Sequence, residues 1–370
     1  MVFLMDNKML FCLGKSFANS IAAGDRDSID CLLRMLDSRK RGLLLIYSSN
    51  KAIDLIVAYF QQSGDGETVE LLRTMSKKFR HKKQLLKDLT AFVLVGCSGK
   101  RNPRRRGNVI HVAPDFINKS NVLYPPILLG ENLTDCELYA EGISKNFIDG
   151  IPQSLSELQL FDRFESGGGN STHYSYSRHK QKSMDFCFCI VDSDRAHPSK
   201  KLGDTAKFVV NVDKNHKSPL CDNLVIDMYS AENLLPMDEI ERQFNVGKSQ
   251  QQISQFAIAK KIRGMNSWRH LPLKQGINGG DLKKVDMRSQ YWAGELKAAG
   301  MTLPCCEDPS CSCNLVPSIS DKTLATALKP ENAGWRSKLN REDSQYIRSD
   351  YSKISTELRS WLCVGAPIRS

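Results

Sequence analysis

The residues best equipped for chemistry in this chain are acids standing at the ends of apolar runs. Asp192 and Asp194 form an Asp-x-Asp directly after FCFCIV, a run with the character of a buried strand. Residues i and i+2 of an ideal strand point to one face, so both carboxylates can reach the same cation. Hard oxygen donors of this kind suit Mg2+ or Mn2+, and an Asp-favoured turn after a strand is the alternative. Glu131 follows the apolar PPILLG and stands four residues before Asp135, so a helix starting there brings both carboxylates to one face. Two such anions need solvent, the positive end of a helix, a basic side chain or a divalent cation to offset their repulsion. Glu232, after NLVIDMYS, supplies a third acidic strand end. A set of this size could hold one or two metals, and two would stabilise the attacking and leaving oxygens of a phosphodiester displacement.

Other side chains invite weaker readings. Cys305, Cys306, Cys311 and Cys313 in PCCEDPSCSCN could bind a structural Zn2+, although they lack the paired C-x-x-C spacing, and a reduced exposed loop is the alternative. GKRNPRRRGN, with Arg101, Arg104, Arg105 and Arg106, reads as a loop or linker that either grips a phosphate backbone or is simply solvated. Lys200, Lys201 and Lys207 follow the second acidic strand, and one of them could stabilise charge on a transferring phosphate. SWRHLPLKQGINGG carries Trp268, Arg269 and Lys274, which could stack a base or close over a substrate; a packed tryptophan beside a polar loop fits equally well.

The elements that must position these residues follow from periodicity. The first hundred residues read as a small α/β unit, with helices over 28–36, 52–62 and 68–87 and strands over 42–47 and 91–96. The centre reads as strand, helix, strand, strand, strand: PPILLG, a helix capped by Asn132 or Thr134, FCFCIV, AKFVVNVD and NLVIDMYS, with the polar ESGGGNSTHYSYSRHKQKS as a flexible stretch. From Met237 onward helical spacing dominates, in MDEIERQF, QQISQFAIAKKIR and TELRSWLCVG. The expected units are 1–107, 118–236 and 237–370.

With 370 residues, 41% of them hydrophobic, the chain has enough apolar content for a substantial core. A net charge of +11 makes a nucleic acid the first partner to consider. No run approaches the roughly 18 apolar residues of a membrane span, and the twelve cysteines come without a secretion signal. A cytoplasmic protein with reduced thiols and no membrane partner is the expectation.

The succession GENLTD, VDSD and AEN resembles a TOPRIM domain, the catalytic module shared by type IA and type II topoisomerases, DnaG-type primases and OLD nucleases. GENLTDCELY together with YSAENLLP is similar to the TOPRIM-like nucleases of bacterial anti-phage systems, including OLD and PARIS-type effectors. The resemblance covers roughly 122–236. It implies a TOPRIM-like Rossmannoid sheet at the centre of an α/β fold, between the N-terminal α/β region and the mainly helical C-terminal region that periodicity gives. It also implies an acid/base or metal role for Glu131, an additional metal role for Asp135, metal-ligand roles for Asp192 and Asp194, and a place for Glu232 beside them. The implied activity is a Mg2+- or Mn2+-dependent endonuclease acting on DNA or RNA, an effector of antiviral defence with an ATPase or other defence partner. A non-catalytic protein binding nucleic acid or a partner, and a primase-like nucleotidyl transferase, stand as alternatives.

Overall fold

Parallel strands bring their carboxyl ends to one edge, and two mostly parallel sheets organise the computed structural model. It describes residues 9–77, 82–96, 103–156, 159–160, 163–246, 248, 250–302, 311, 313–342 and 344–364. The N-terminal sheet contains β1 (Leu10–Leu13), β2 (Leu45–Ser48), β3 (Phe92–Val95), β4 (Arg104–Arg106) and β5 (Val109–Val112). Its order is β2-β1-β3-β5-β4, and within it β4 alone runs antiparallel to its neighbour. The accompanying helices are α1 (Lys15–Ala22), α2 (Arg26–Lys40), α3 (Asn50–Gln62), α4 (Gly66–Lys77), α5 (Lys82–Asp88) and α6 (Pro114–Lys119). Helix α3 shows why they form: Ser49 caps it by accepting from the Ala52 N–H at 3.3 Å, and Ala52, Ile53, Ile56, Val57 and Phe60 make one buried stripe. The single helix expected over 68–87 comes as α4 and α5, with 78–81 outside the described residues.

The central sheet contains β6 (Ile127–Gly130), β8 (Phe164–Ser166), β9 (Cys187–Val191) and β10 (Cys221–Val225), all parallel, in the order β10-β9-β6-β8. A two-residue strand, β7 (Gln159–Leu160), precedes β8 in the chain. Helix α7 (Leu133–Glu137) follows β6 and widens into a π-helical stretch over Leu138–Ser144, and α8 (Gln153–Ser156) precedes β7. Three expectations fail here, the first being the strand read over NLVIDMYS: β10 ends at Val225, so Glu232 does not stand at a strand end. The polar stretch read as flexible contains helix α9 (Thr172–Lys182), and AKFVVNVD, expected as a strand, lies in helix α10 (Asp204–Asn215). The reason for both helices is topological: strands that run parallel in one sheet need a crossover between them, and α9 carries the chain from β8 past β6 to β9, while α10 carries it from β9 to its neighbour β10.

The remainder is mainly helical: α11 (Met237–Phe244), α12 (Gln250–Arg263), α13 (Met287–Ala298), α14 (Thr323–Leu328) and α15 (Gln345–Trp361). Short strands β11 (Ile277–Asn278) and β12 (Asn314–Val316) pair antiparallel, as does β13 (Cys363–Val364) with β7. Trp361 at the end of α15 joins the two sheets, lying 6.4 Å from Phe186 and 5.4 Å from Phe188 between ring centroids, while Phe186 meets Phe11 of β1 at 6.3 Å. Cys31, Cys136, Cys187, Cys189 and Cys221 are free and buried, behaving as small hydrophobes. Among the described residues no helix is long and apolar enough to cross a membrane.

Candidate acidic centre

From β6 the chain moves to β8 on one flank, then returns to β9 and β10 on the other. The winding therefore reverses between β6 and β9, and diverging crossovers leave a crevice at the carboxyl ends of those two strands. Glu131 is the first residue after β6, and Asp192 the first after β9. Across the crevice, the Asp192 backbone N–H donates to Glu131 Oε1 at 3.2 Å. The Asp192 carboxylate is itself held on both oxygens: the Tyr139 hydroxyl donates to Oδ1 at 3.0 Å and the Ala231 N–H to Oδ2 at 3.2 Å. Tyr139 belongs to the π-helical stretch, a geometry found often at functional sites.

Asp194 joins the centre by a different route from the one expected. The strand ends at Val191, and Asp194 has φ 52°, the left-handed region that Asp tolerates better than most residues. Ladder-like bonds hold this turn, from Ser193 N–H to Met228 O at 3.2 Å and from Asp194 N–H to Tyr229 O at 3.1 Å. Gly203 closes over it, donating its N–H to Ser193 O at 2.9 Å. A Cβ placed on Gly203 would meet Asp194 Oδ2 at 2.5 Å, so this approach needs glycine.

Asp135 and Glu232 are both buried, 7% and 3% exposed. Asp135 sits in the first turn of α7, where its Oδ2 accepts the Asn132 N–H at 2.9 Å. Glu232 lies in a short 3-10 turn over Ala231–Leu234 that Asn233 clamps to the segment before β11. The Asn233 amide donates to Trp268 O and Leu271 O, each at 3.0 Å, while its backbone carbonyl accepts the Trp268 indole N–H at 2.8 Å. This clamp delivers Lys274, whose ammonium pairs with Glu232 Oε1 at 2.9 Å.

Burial and crowding set the protonation of the group. Burial pushes Glu131 up to about 7, aided by Asp194 and Asp135 and opposed by the Asp192 N–H and Lys274. Asp135 is pushed up to about 6, first by burial and next by Glu232. Asp192 is raised well above the carboxylate range by burial, then by Glu131, Asp135 and Glu232, and burial also raises Asp194. For Lys274 burial acts downward, but Glu232, Asp192 and Asp135 outweigh it and hold the ammonium above its usual value. All five acids expected from the sequence thus lie in one electrostatic neighbourhood. As hard oxygen donors they fit Mg2+ or Mn2+ in kind, and Glu232 Oε2 is buried with no hydrogen-bond partner. Among the described residues, no three His, Cys, Asp or Glu side chains stand in the arrangement of a formed metal site.

The other candidates disperse. Lys274, expected to contact nucleic acid, is partly exposed and pairs with Glu232 beside the other acids. Arg105 is a half-buried strut, ion-paired with Asp222 and lying 5.6 Å from the Trp361 ring, in a segment that forms strand β4 rather than a loop. Arg104 and Arg106 are exposed on that strand, and Arg101 lies outside the described residues. Lys207 is exposed on α10, and Lys200 donates to the Asp194 carbonyl at 2.9 Å. Trp268 is fully buried and has no face for a base. Cys311 is buried and Cys313 exposed, while Cys305 and Cys306 lie outside the described residues. Sequence reasoning missed Tyr139, though the spacing Glu131, Asp135, Tyr139 carried its signal; nothing local marked Lys274 as a partner of Glu232. Compared with protein-family models, with curated proteins and with solved structures, the chain matches none.

Proposed function

We propose that this chain is a nuclease that hydrolyses DNA or RNA phosphodiesters with Mg2+ or Mn2+ at a TOPRIM-like acidic centre. The observation that supports it best is the meeting of Glu131 and Asp192 at the reversal point of a parallel sheet, with Asp135, Asp194 and Glu232 gathered around them. Glu131, Asp135, Asp192, Asp194 and Glu232 are the residues that would hold the metal. When bound, such an ion polarises a phosphate oxygen and makes water a stronger acid. Glu131 is the carboxylate to which the resemblance gives the acid/base role, taking a proton from water beside the site. Tyr139 and the Ala231 N–H fix the direction of the Asp192 carboxylate. Lys274 places a cation where phosphate charge would enter. An effector role in anti-phage defence, with an ATPase or other defence partner, rests on the sequence resemblance.

The test is incubation of the purified chain with panels of DNA and RNA in Mg2+, in Mn2+ and in EDTA. Cleavage is expected with a metal alone, and the double substitution Asp192→Ala with Asp194→Ala should abolish it while circular dichroism stays native. Undiminished cleavage by that variant, or cleavage in EDTA, would sink the assignment.

A further inference from the structure

Helices α9 and α10 each follow a strand of the central parallel sheet, so both begin on the edge that carries the acids. Their N-terminal ends hold three aromatic rings, with His173 in contact with the other two. The centroids of His173 and Tyr174 are 4.0 Å apart, and those of His173 and Phe208 are 4.9 Å apart. Tyr174 is 70% exposed and Phe208 40% exposed, although packing normally covers rings of this size. The Lys207 ammonium lies 5.9 Å from the Phe208 centroid. Arg178 and Lys201 are exposed on the same two connections, with Asp204 as the neighbouring acid.

This cluster is tied to the acidic centre at both ends. The Gly168 and Gly169 N–H groups donate to the Glu131 carbonyl, each at 3.1 Å, and the Asn170 carbonyl meets His173 Nδ1 at 2.9 Å. Thr205 Oγ1 donates to Asn170 Oδ1 at 3.1 Å, joining the loop before α9 to the start of α10. Gly203, which touches Asp194, lies about one helical turn before Lys207 and Phe208. The rings therefore occupy the rim of the crevice, in fixed relation to Glu131 and Asp194.

We propose that His173, Tyr174 and Phe208 form a stacking platform for an unpaired nucleobase, so that the acidic centre takes a single-stranded stretch of nucleic acid. Aromatic faces receive a base only when it is splayed from its stack, as in single strands, loops and ends. Lys207 and Arg178 suit the phosphates on either side of that base. What happens to the strand afterwards rests on the nuclease reading; its binding does not.

Binding of the full chain to fluorescein-labelled oligothymidylate and oligouridylate of about 15 nucleotides, measured by anisotropy in EDTA, separates the two ideas. Tyr174→Ala with Phe208→Ala should weaken single-strand binding about tenfold per base unstacked and leave a matched duplex unaffected. The ring-keeping variant Tyr174→Phe with Phe208→Tyr should bind like the parent. An abasic strand of the same length should bind the parent as weakly as the base-bearing strand binds the alanine variant. Equal binding of base-bearing and abasic strands, an equal loss for duplex, or no binding of either oligonucleotide overturns the platform. Ring-dependent binding without cleavage in any metal would leave the platform standing and remove the nuclease reading; cleavage with ring-independent binding would do the reverse.

Discussion

The Asp192 backbone N–H donates to the Glu131 carboxylate at 3.2 Å, joining the carboxyl ends of two neighbouring strands whose onward connections run to opposite flanks of the sheet. This bond favours the ionised form of Glu131, yet burial dominates and pushes the carboxyl up to about 7 from 4.5. Between those values the folded chain retains a proton that the unfolded chain has released. Stability from this group is therefore full at low pH and falls as pH rises from 4.5 to about 7. Asp135, raised to about 6 from 3.8, acts in the same direction over a lower window. Thermal melts across this range in EDTA should show declining stability with rising pH, and Glu131→Gln should flatten the decline. A slope identical in that variant would refute the account. Mg2+ should stabilise the parent more at higher pH, because binding requires the acids to ionise.

Lys274 is the cation nearest Glu232 among the described ion pairs, and the Glu232 side chain is 4% exposed. Lys274→Met should therefore destabilise the metal-free chain by about 1–2 kcal/mol, less than a fully buried pair because the lysine is partly solvated. Part of that loss should return on adding Mn2+. Denaturant titrations with and without the metal measure both effects; an unchanged midpoint in EDTA would show that the pair contributes nothing.

Gly203→Ala tests the close approach to Asp194. The new Cβ cannot share space with Asp194 Oδ2 at 2.5 Å, so the turn must move and take the carboxylate with it. Cleavage should fall at least about tenfold, while the melting temperature shifts by only a few degrees, on the order of 1 kcal/mol. Full activity in this variant would show that Asp194 needs no fixed position.

Lys180 on α9 pairs with Asp213 on α10, and the Lys180 side chain is 2% exposed. Tyr176 adds its hydroxyl to Asp213 at 2.9 Å. Lys180→Met should cost about 2–3 kcal/mol by leaving Asp213 without its cation, and Lys180→Met with Asp213→Leu should recover much of that. Urea denaturation of the three proteins measures the coupling. Equal stability of the single variant and the parent would remove the pair as a tie between these helices.

The acidic ends of β6 and β9 were legible because each is a short apolar run stopped by a carboxylate, a local pattern that needs no partner to be recognised. The α/β character of the N-terminal region and the helices after Met237 were legible for the same reason. Helix α9 was not: Thr172, Tyr176 and Lys180 form its buried side, and a stripe containing a lysine does not read as apolar until Asp213 is brought beneath it. Helix α10 looked like a strand because its Phe and Val residues suit either element, and only the parallel pairing of β9 with β10 requires a crossover there. The sequence alone thus determined which acids were available and that Glu131 and Asp192 close two strands. The tertiary structure decided that they share one crevice, that Asp194 enters it through a left-handed turn under Gly203, and that Lys274 faces Glu232. Strand order and the Asn233 clamp make those contacts between segments distant in the chain, where no local spacing can encode them.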